Sequence, residues 1–194
     1  MNIRNTLGAG AAGITCLFAA GAEAHTFGAA GAGLTEGLLH PFIGMDHLFA
    51  MLAVGMWAAQ LGGRSLWLLP LAFVAVMAGG AGLAQLGLDL SLVEVMIAAS
   101  VLALGCLVAG SIRVSAGVGM LTVSLFALFH GYAHGLELPE ASSPLIYAAG
   151  FVLATTCLHL IGIGLGIRLR QSQWLTRIGG AALTATGVYL LASL

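Results

Sequence analysis

Long apolar windows, separated by short polar or glycine-containing breaks, run along most of the chain, and that rhythm predicts membrane-spanning helices. Windows of about twenty residues, enough to cross a bilayer in α-helical form, cover 36–61, 66–86, 90–112, 115–138, 144–167 and 174–194. Ahead of them lies a different pattern. Arg4 sits in a short n-region, 6–21 is apolar and small, and Ala22-Glu23-Ala24 has the A-x-A form of a signal-peptidase site. Cleavage there would leave His25 as the mature N-terminus. The expected architecture is an all-α polytopic membrane protein, with a cleavable signal peptide over 1–24 and a single six-helix transmembrane domain over 25–194.

Composition fits that class and no soluble one. The chain is 60% hydrophobic and 7% charged, with a mean hydropathy of +1.06. Its net charge of −1 offers nothing to nucleic acid. The charges it does carry set an orientation. With the mature N-terminus outside, the connections holding Arg64, Arg113, and the group Arg168, Arg170 and Arg177 all fall on the cytoplasmic side, as the positive-inside rule requires. Asp89, Glu137 and Glu140 then lie at the outer rim, where negative charge concentrates cations. In a bacterium this means an inner-membrane protein with both mature termini in the periplasm. Cys16, Cys106 and Cys157 have no metal-site or disulfide spacing and read as packing residues. Many of the 29 glycines serve close helix packing, including the GxxxG spacings Gly33 to Gly37, Gly131 to Gly135 and Gly162 to Gly166.

Ionisable groups inside such windows are costly and mark function. They fall in two clusters: His40, Asp46 and His47 in the first span, and His130, His134 and Glu137 in the fourth. On a helix the second trio, at i, i+4 and i+7, forms one stripe. In the first span Glu36, His40 and His47 share a face, with Asp46 about a quarter-turn away, although Pro41 is expected to kink or end the helix there. Both clusters lie in the outer half of the membrane and reach towards its middle at His47 and His130. Glu94 in the third span and His159 in the fifth are weaker candidates to join them, and His25 could chelate an arriving ion with its amine and imidazole. Each has a plainer reading, as an interfacial acid, a packing histidine or a solvated terminus.

Imidazole with carboxylate, and no thiolate, suits divalent nickel, cobalt, zinc or copper(II), and argues against copper(I), calcium and magnesium. Such a site needs neutral imidazoles, so affinity should fall with acidification. The residues therefore point to a path for a divalent cation as transported substrate, with no permanently bound cofactor. An intramembrane metal-dependent hydrolase would use the same ligands plus a water, and a metal-binding sensor or accessory subunit would use them without transport.

The string from His40 to His47, HPFIGMDH, carries an H-x5-D-H pattern, and Phe129 to Glu137, FHGYAHGLE, carries FHGxAHGxE. With these motifs in this order, and the predicted signal peptide, the chain resembles the HupE/UreJ family of nickel permeases across nearly its whole length. The resemblance implies secondary uptake of Ni2+, with Co2+ as an alternative, and a functional link to hydrogenase or urease maturation proteins. By matching position it assigns the metal role to His40, Asp46, His47, His130, His134 and Glu137. The histidine-rich first and fourth spans also hint at a three-plus-three inverted repeat. The chain itself carries no signal for an oligomeric state.

Overall fold

The computed structural model describes residues 33–138 and 143–194 of the 194-residue chain. The predicted signal peptide, Cys16, His25 and Glu140 lie outside the described residues. Within them every regular element is a helix: α1 (Leu34–Ile43), α2 (Met45–Leu61), α3 (Ser65–Gln85), α4 (Val93–Ala109), α5 (Ala116–Leu136), α6 (Pro144–Leu169) and α7 (Gln173–Ala192). Local signals set several starts. Ser115 and Ser172 cap α5 and α7 by accepting hydrogen bonds from the Val118 and Leu175 amides. Pro144 opens α6, where a missing N–H costs nothing.

Helices α3, α5, α6 and α7 are each long and apolar enough to cross a membrane, and α1 with α2 makes a fifth crossing if counted together. Helix α4, in the third predicted span, is shorter at 17 residues. Leu71, Leu121, Leu145 and Leu153 lie exposed on the outer surface. Such an apolar exterior suits lipid, and the chain is a multi-pass membrane protein.

The first predicted span is not one helix, which corrects the shared-face reading of Glu36, His40 and His47. α1 and α2 meet at 83°. Nor does the break fall at Pro41, which is buried inside α1. A proline near a helix end forfeits one backbone bond, and the chain continues helically to Ile43. It leaves the helix at Gly44, whose backbone is extended at φ −77° and ψ 117°. The bend has a consequence for the histidines. On an unbroken helix His40 and His47 would be separated by about 10 Å of rise; here their ring centroids are 6.1 Å apart.

Helix pairs close on one another through glycines. A Cβ on Gly37 would strike the Tyr147 carbonyl oxygen, and one on Gly150 that of Leu34, so α1 and α6 cross backbone to backbone. Gly55 against His159 and Gly162 against Leu52 do the same for α2 and α6. Gly80 against Leu128 and Gly131 against Met77 join α3 to α5, and Gly105 against Thr184 with Gly180 against Ala109 join α4 to α7. Gly131 lies between the two histidines of its helix. A methyl group at Gly131 would force α3 and α5 apart, so Gly131→Ala is expected to cost about 1–3 kcal/mol. A lowered thermal midpoint of the detergent-purified protein would report it; an unchanged midpoint would show that the crossing can relax freely.

Counting α1 and α2 as one unit gives six. The three most extensive pairings are then first with fifth, second with fourth, and third with sixth. Exchanging units one to three for units four to six maps the first two pairings onto each other and the third onto itself. That exchange is what packing of two three-unit halves against each other would give.

The two ends of the bundle differ in chemistry. At one end Gln60 of α2, Ser111 and Arg113 before α5, Arg170 after α6, and Gln173 and Thr176 of α7 line a common cavity. At the other, the bend at Gly44 meets the C-terminal turn of α5. Between them the interior is packed shut by Met51, Val54, Trp57, Phe73, Leu104 and Leu158.

Candidate metal centre

α5 delivers three of the candidate residues: His130 and His134, one turn apart and facing inward, and Glu137, the first residue beyond the helix. α1 and α2 deliver the others from either side of the bend. His40 Nε2 lies 3.1 Å from Glu137 Oε2, and His134 Nδ1 lies 3.7 Å from the same oxygen. Ligand atoms of His40, His134 and Glu137 all fall within 4.8 Å of one another. Two ligands on one ion, with bonds of about 2.1 Å, can be at most about 4.2 Å apart. To share a cation the trio must draw together, by up to about 0.6 Å if its widest pair lies on opposite sides of the ion and by up to about 1.4 Å in a tetrahedral arrangement.

Asp46 plays a different part. Its Oδ1 accepts both the backbone N–H of His47, at 2.7 Å, and that residue's Nδ1–H, at 2.6 Å. A carboxylate holding Nδ1–H in this way fixes the tautomer and leaves Nε2 as the ligand nitrogen. His130 is fixed by another route: its Nδ1 donates to the Phe126 carbonyl at 3.0 Å, again leaving Nε2 free. Both freed nitrogens are buried without a hydrogen-bond partner among the described residues, as are both ring nitrogens of His134. Buried polar atoms left unpaired cost roughly 1–3 kcal/mol each, so this donor set is one that a ligand would complete.

The four rings form a continuous row. Centroid separations are 4.7 Å from His40 to His134, 4.3 Å from His134 to His47 and 4.9 Å from His47 to His130. The His40 side chain is 26% exposed, His134 and His47 are buried, and His130 is at zero. The row thus leads from the surface into the interior. The Phe73 ring stands 5.6 Å from His130 and 5.2 Å from His159, centroid to centroid. His159 is buried, with both nitrogens unpartnered among the described residues. Glu94, in the first turn of α4, is exposed but close enough to Asp46, His47 and Glu137 to interact with their charges.

Three neighbours of the site were not visible in the sequence. Phe151 packs on His134 at 3.9 Å between centroids, Tyr147 stands 6.2 Å from His40 with its buried hydroxyl unpartnered, and Phe73 closes the deep end. Their only sequence signal was an aromatic pair at i, i+4 near the start of the fifth predicted span. Gly44 is equally specific. A Cβ there would sit 2.8 Å from Asp46 Oδ1 and 3.2 Å from His47 Nδ1. Its backbone angles suit alanine, so Gly44→Ala is expected to keep the fold while pushing the pair out of line. The expected result is a roughly tenfold or greater loss of metal affinity with a nearly unchanged thermal midpoint, checked by radiometal binding to purified protein.

Comparison with known proteins gives two matches. A family model described as "HupE / UreJ protein" matches residues 13–190. "Protein HupE" from Rhizobium leguminosarum bv. viciae is 47% identical over 161 residues, which cover 82% of this chain and 84% of that relative. No solved structure matches the chain.

Proposed function

The chain belongs to the HupE/UreJ family, and from that premise we propose that it is a secondary transporter importing Ni2+, with Co2+ as a further substrate, across the bacterial inner membrane. The row of four imidazoles, flanked by Glu137 and Asp46 and running from an exposed to a sealed end, is the observation that carries this reading. Enzymes and sensors hold a metal at a point. A graded series of ligand nitrogens suits an ion that has to move.

In this reading α1 with α2 forms one broken crossing and α4 a short one, giving six spans in one domain over 25–194, after removal of 1–24. Seventeen residues lie at the lower limit for a spanning helix. Both mature termini are periplasmic, which puts the row at the outer face and the arginines inside. The acidic outer residues, Glu94 among them, draw the cation in. His40, His134 and Glu137 replace part of its water shell, and His47, oriented by Asp46, and His130 receive it next. His25 supports capture at the outer face, and His159 accepts the ion once Phe73 moves. The broken helix brings its irregular backbone to the site, as in other secondary transporters. Rocking of one three-unit half against the other would open the inner end. An inside-negative potential favours entry of a divalent ion by about 4.6 kcal/mol per 100 mV. The nickel delivered would serve hydrogenase or urease maturation.

The deciding measurement is 63Ni2+ flux into sealed vesicles reconstituted with the purified protein, with cobalt and zinc as competitors. Accumulation above protein-free vesicles, competed by Co2+, is the expected result. Binding without accumulation would move the protein to sensing or accessory roles, and turnover of a substrate at the metal would move it to catalysis.

A further inference from the structure

The end of the bundle opposite the histidines holds a cavity of about 280 Å3 lined by Gln60, Ser111, Arg113, Arg170, Gln173 and Thr176. Two guanidinium groups share it, and Gln173 is the first residue of α7, so the positive end of a twenty-residue helix also faces it. No carboxylate lines it. Among the described residues the acids Glu36, Asp46, Asp89, Glu94 and Glu137 all belong to the opposite end, and every ion pair there joins a histidine to one of them. Thus none of the described arginines has a described carboxylate within ion-pairing distance. Gln60 adds a further requirement. Its Nε2 donates to the Val108 carbonyl at 3.0 Å, while its Oε1 is buried and unpartnered. The cavity therefore offers two exposed arginines to an anion and one buried acceptor to a hydroxyl.

We propose that this cavity is a binding site for a phosphate group, supplied by the headgroup of an anionic glycerophospholipid of the inner leaflet or by free phosphate. Arg113 and Arg170 would clamp the phosphate oxygens, and Gln60 Oε1 would accept from a headgroup hydroxyl. At 280 Å3 the cavity is at the small end of ligand pockets, which suits a compact headgroup. The site goes beyond the metal reading and stands without it. It also has a place in the fold, because the exchange of halves that relates the helix pairings carries the start of α2 and end of α5 onto the start of α5 and end of α2. That is where Gln60 and Arg113 lie. If an ion leaves there, a bound phosphate neutralises the two positive charges that would otherwise repel it.

The test uses the purified full chain, freed of lipid in detergent, and follows its thermal midpoint and its retention of headgroup-labelled phosphatidylglycerol. Phosphatidylcholine, inorganic phosphate and buffer alone form the comparison arms. Wild-type protein is expected to bind and be stabilised by phosphatidylglycerol but not by phosphatidylcholine, and Arg113→Gln with Arg170→Gln to weaken binding by about tenfold or more. Stabilisation by inorganic phosphate alone, lost in the same double variant, would support the site and assign it to the soluble anion. Arg113→Lys with Arg170→Lys, which keeps the charge, should fold and bind at an intermediate level. Arg177→Gln, outside the cavity, should bind as wild type. Equal losses in Arg177→Gln and the double variant would show diffuse basic attraction and overturn the proposal, as would undiminished binding by the double variant or no stabilisation by either anion.

Discussion

Replacing His134 by alanine is expected to reduce 63Ni2+ uptake to that of cells carrying no transporter. His134 belongs to the trio whose ligand atoms lie within 4.8 Å of one another, and it is also the ring between His40 and His47. Its loss therefore opens a gap in the row as well as removing a ligand. With His134 gone, the remaining rings His40 and His47 are 6.1 Å apart at their centroids. The site left behind would have one imidazole and one carboxylate, too few to strip water from Ni2+ efficiently. The side chain is buried against Phe151, so part of the loss could come from a cavity. His134→Gln controls for that. It fills much of the space with a poor metal ligand, and it should match the alanine variant in uptake while keeping a near wild-type thermal midpoint. Uptake that survives in both variants at matched membrane levels would remove His134, and with it the continuous row, from the transport path.

Much of this site was legible because half of it lies on one uninterrupted helix. His130, His134 and Glu137 follow the helical period, and α5 runs unbroken to Leu136, so one stripe in sequence became one face in space. The first span was harder. Pro41 is the stronger breaking signal, yet the chain breaks at Gly44, where the backbone must pass close beneath the Asp46 carboxylate. Periodicity thus picked out residues that do meet, for the wrong reason. The histidines converge because the helix bends, not because they share its face. Phe73, Phe151 and Tyr147 were hidden for a different reason: an aromatic residue in an apolar helix gives no local sign of which tertiary neighbour it will meet.

Glycines divide along the same line. Gly131 to Gly135 and Gly162 to Gly166 announced two crossings by their spacing, and Gly37 marks another. Their partners Gly55, Gly80 and Gly150 stand across the interface without a motif of their own. For the same reason the relation between the halves is faint in sequence. It resides in which helices touch, and only a few small residues are needed to let backbones approach. The polar chemistry does not repeat: the histidine row occupies one end, and a basic cavity occupies the corresponding place at the other.

Changing Asp46 to asparagine is expected to lower nickel affinity or transport by about 10–100-fold, the usual effect of removing a partner that orients a metal-binding histidine. The carboxylate accepts two bonds through one oxygen, from the backbone N–H and the Nδ1–H of His47. Asparagine can keep one acceptor oxygen there, so the local turn should persist. What it loses is the negative charge that makes the imidazole a stronger donor through Nε2 and offsets the charge of an arriving cation. The defect should therefore appear mainly as weaker nickel binding at unchanged protein abundance and thermal midpoint. Asp46→Glu separates charge from geometry. Its extra methylene keeps the charge but cannot hold the same 2.6 Å bond beside the bend without moving the ring. If orientation dominates, glutamate should be the more defective of the two, because asparagine keeps an acceptor oxygen in place; if the negative charge dominates, glutamate should recover most of the binding that asparagine loses. Wild-type binding by both variants would show that His47 needs no partner and that Asp46 only shapes the turn after Gly44.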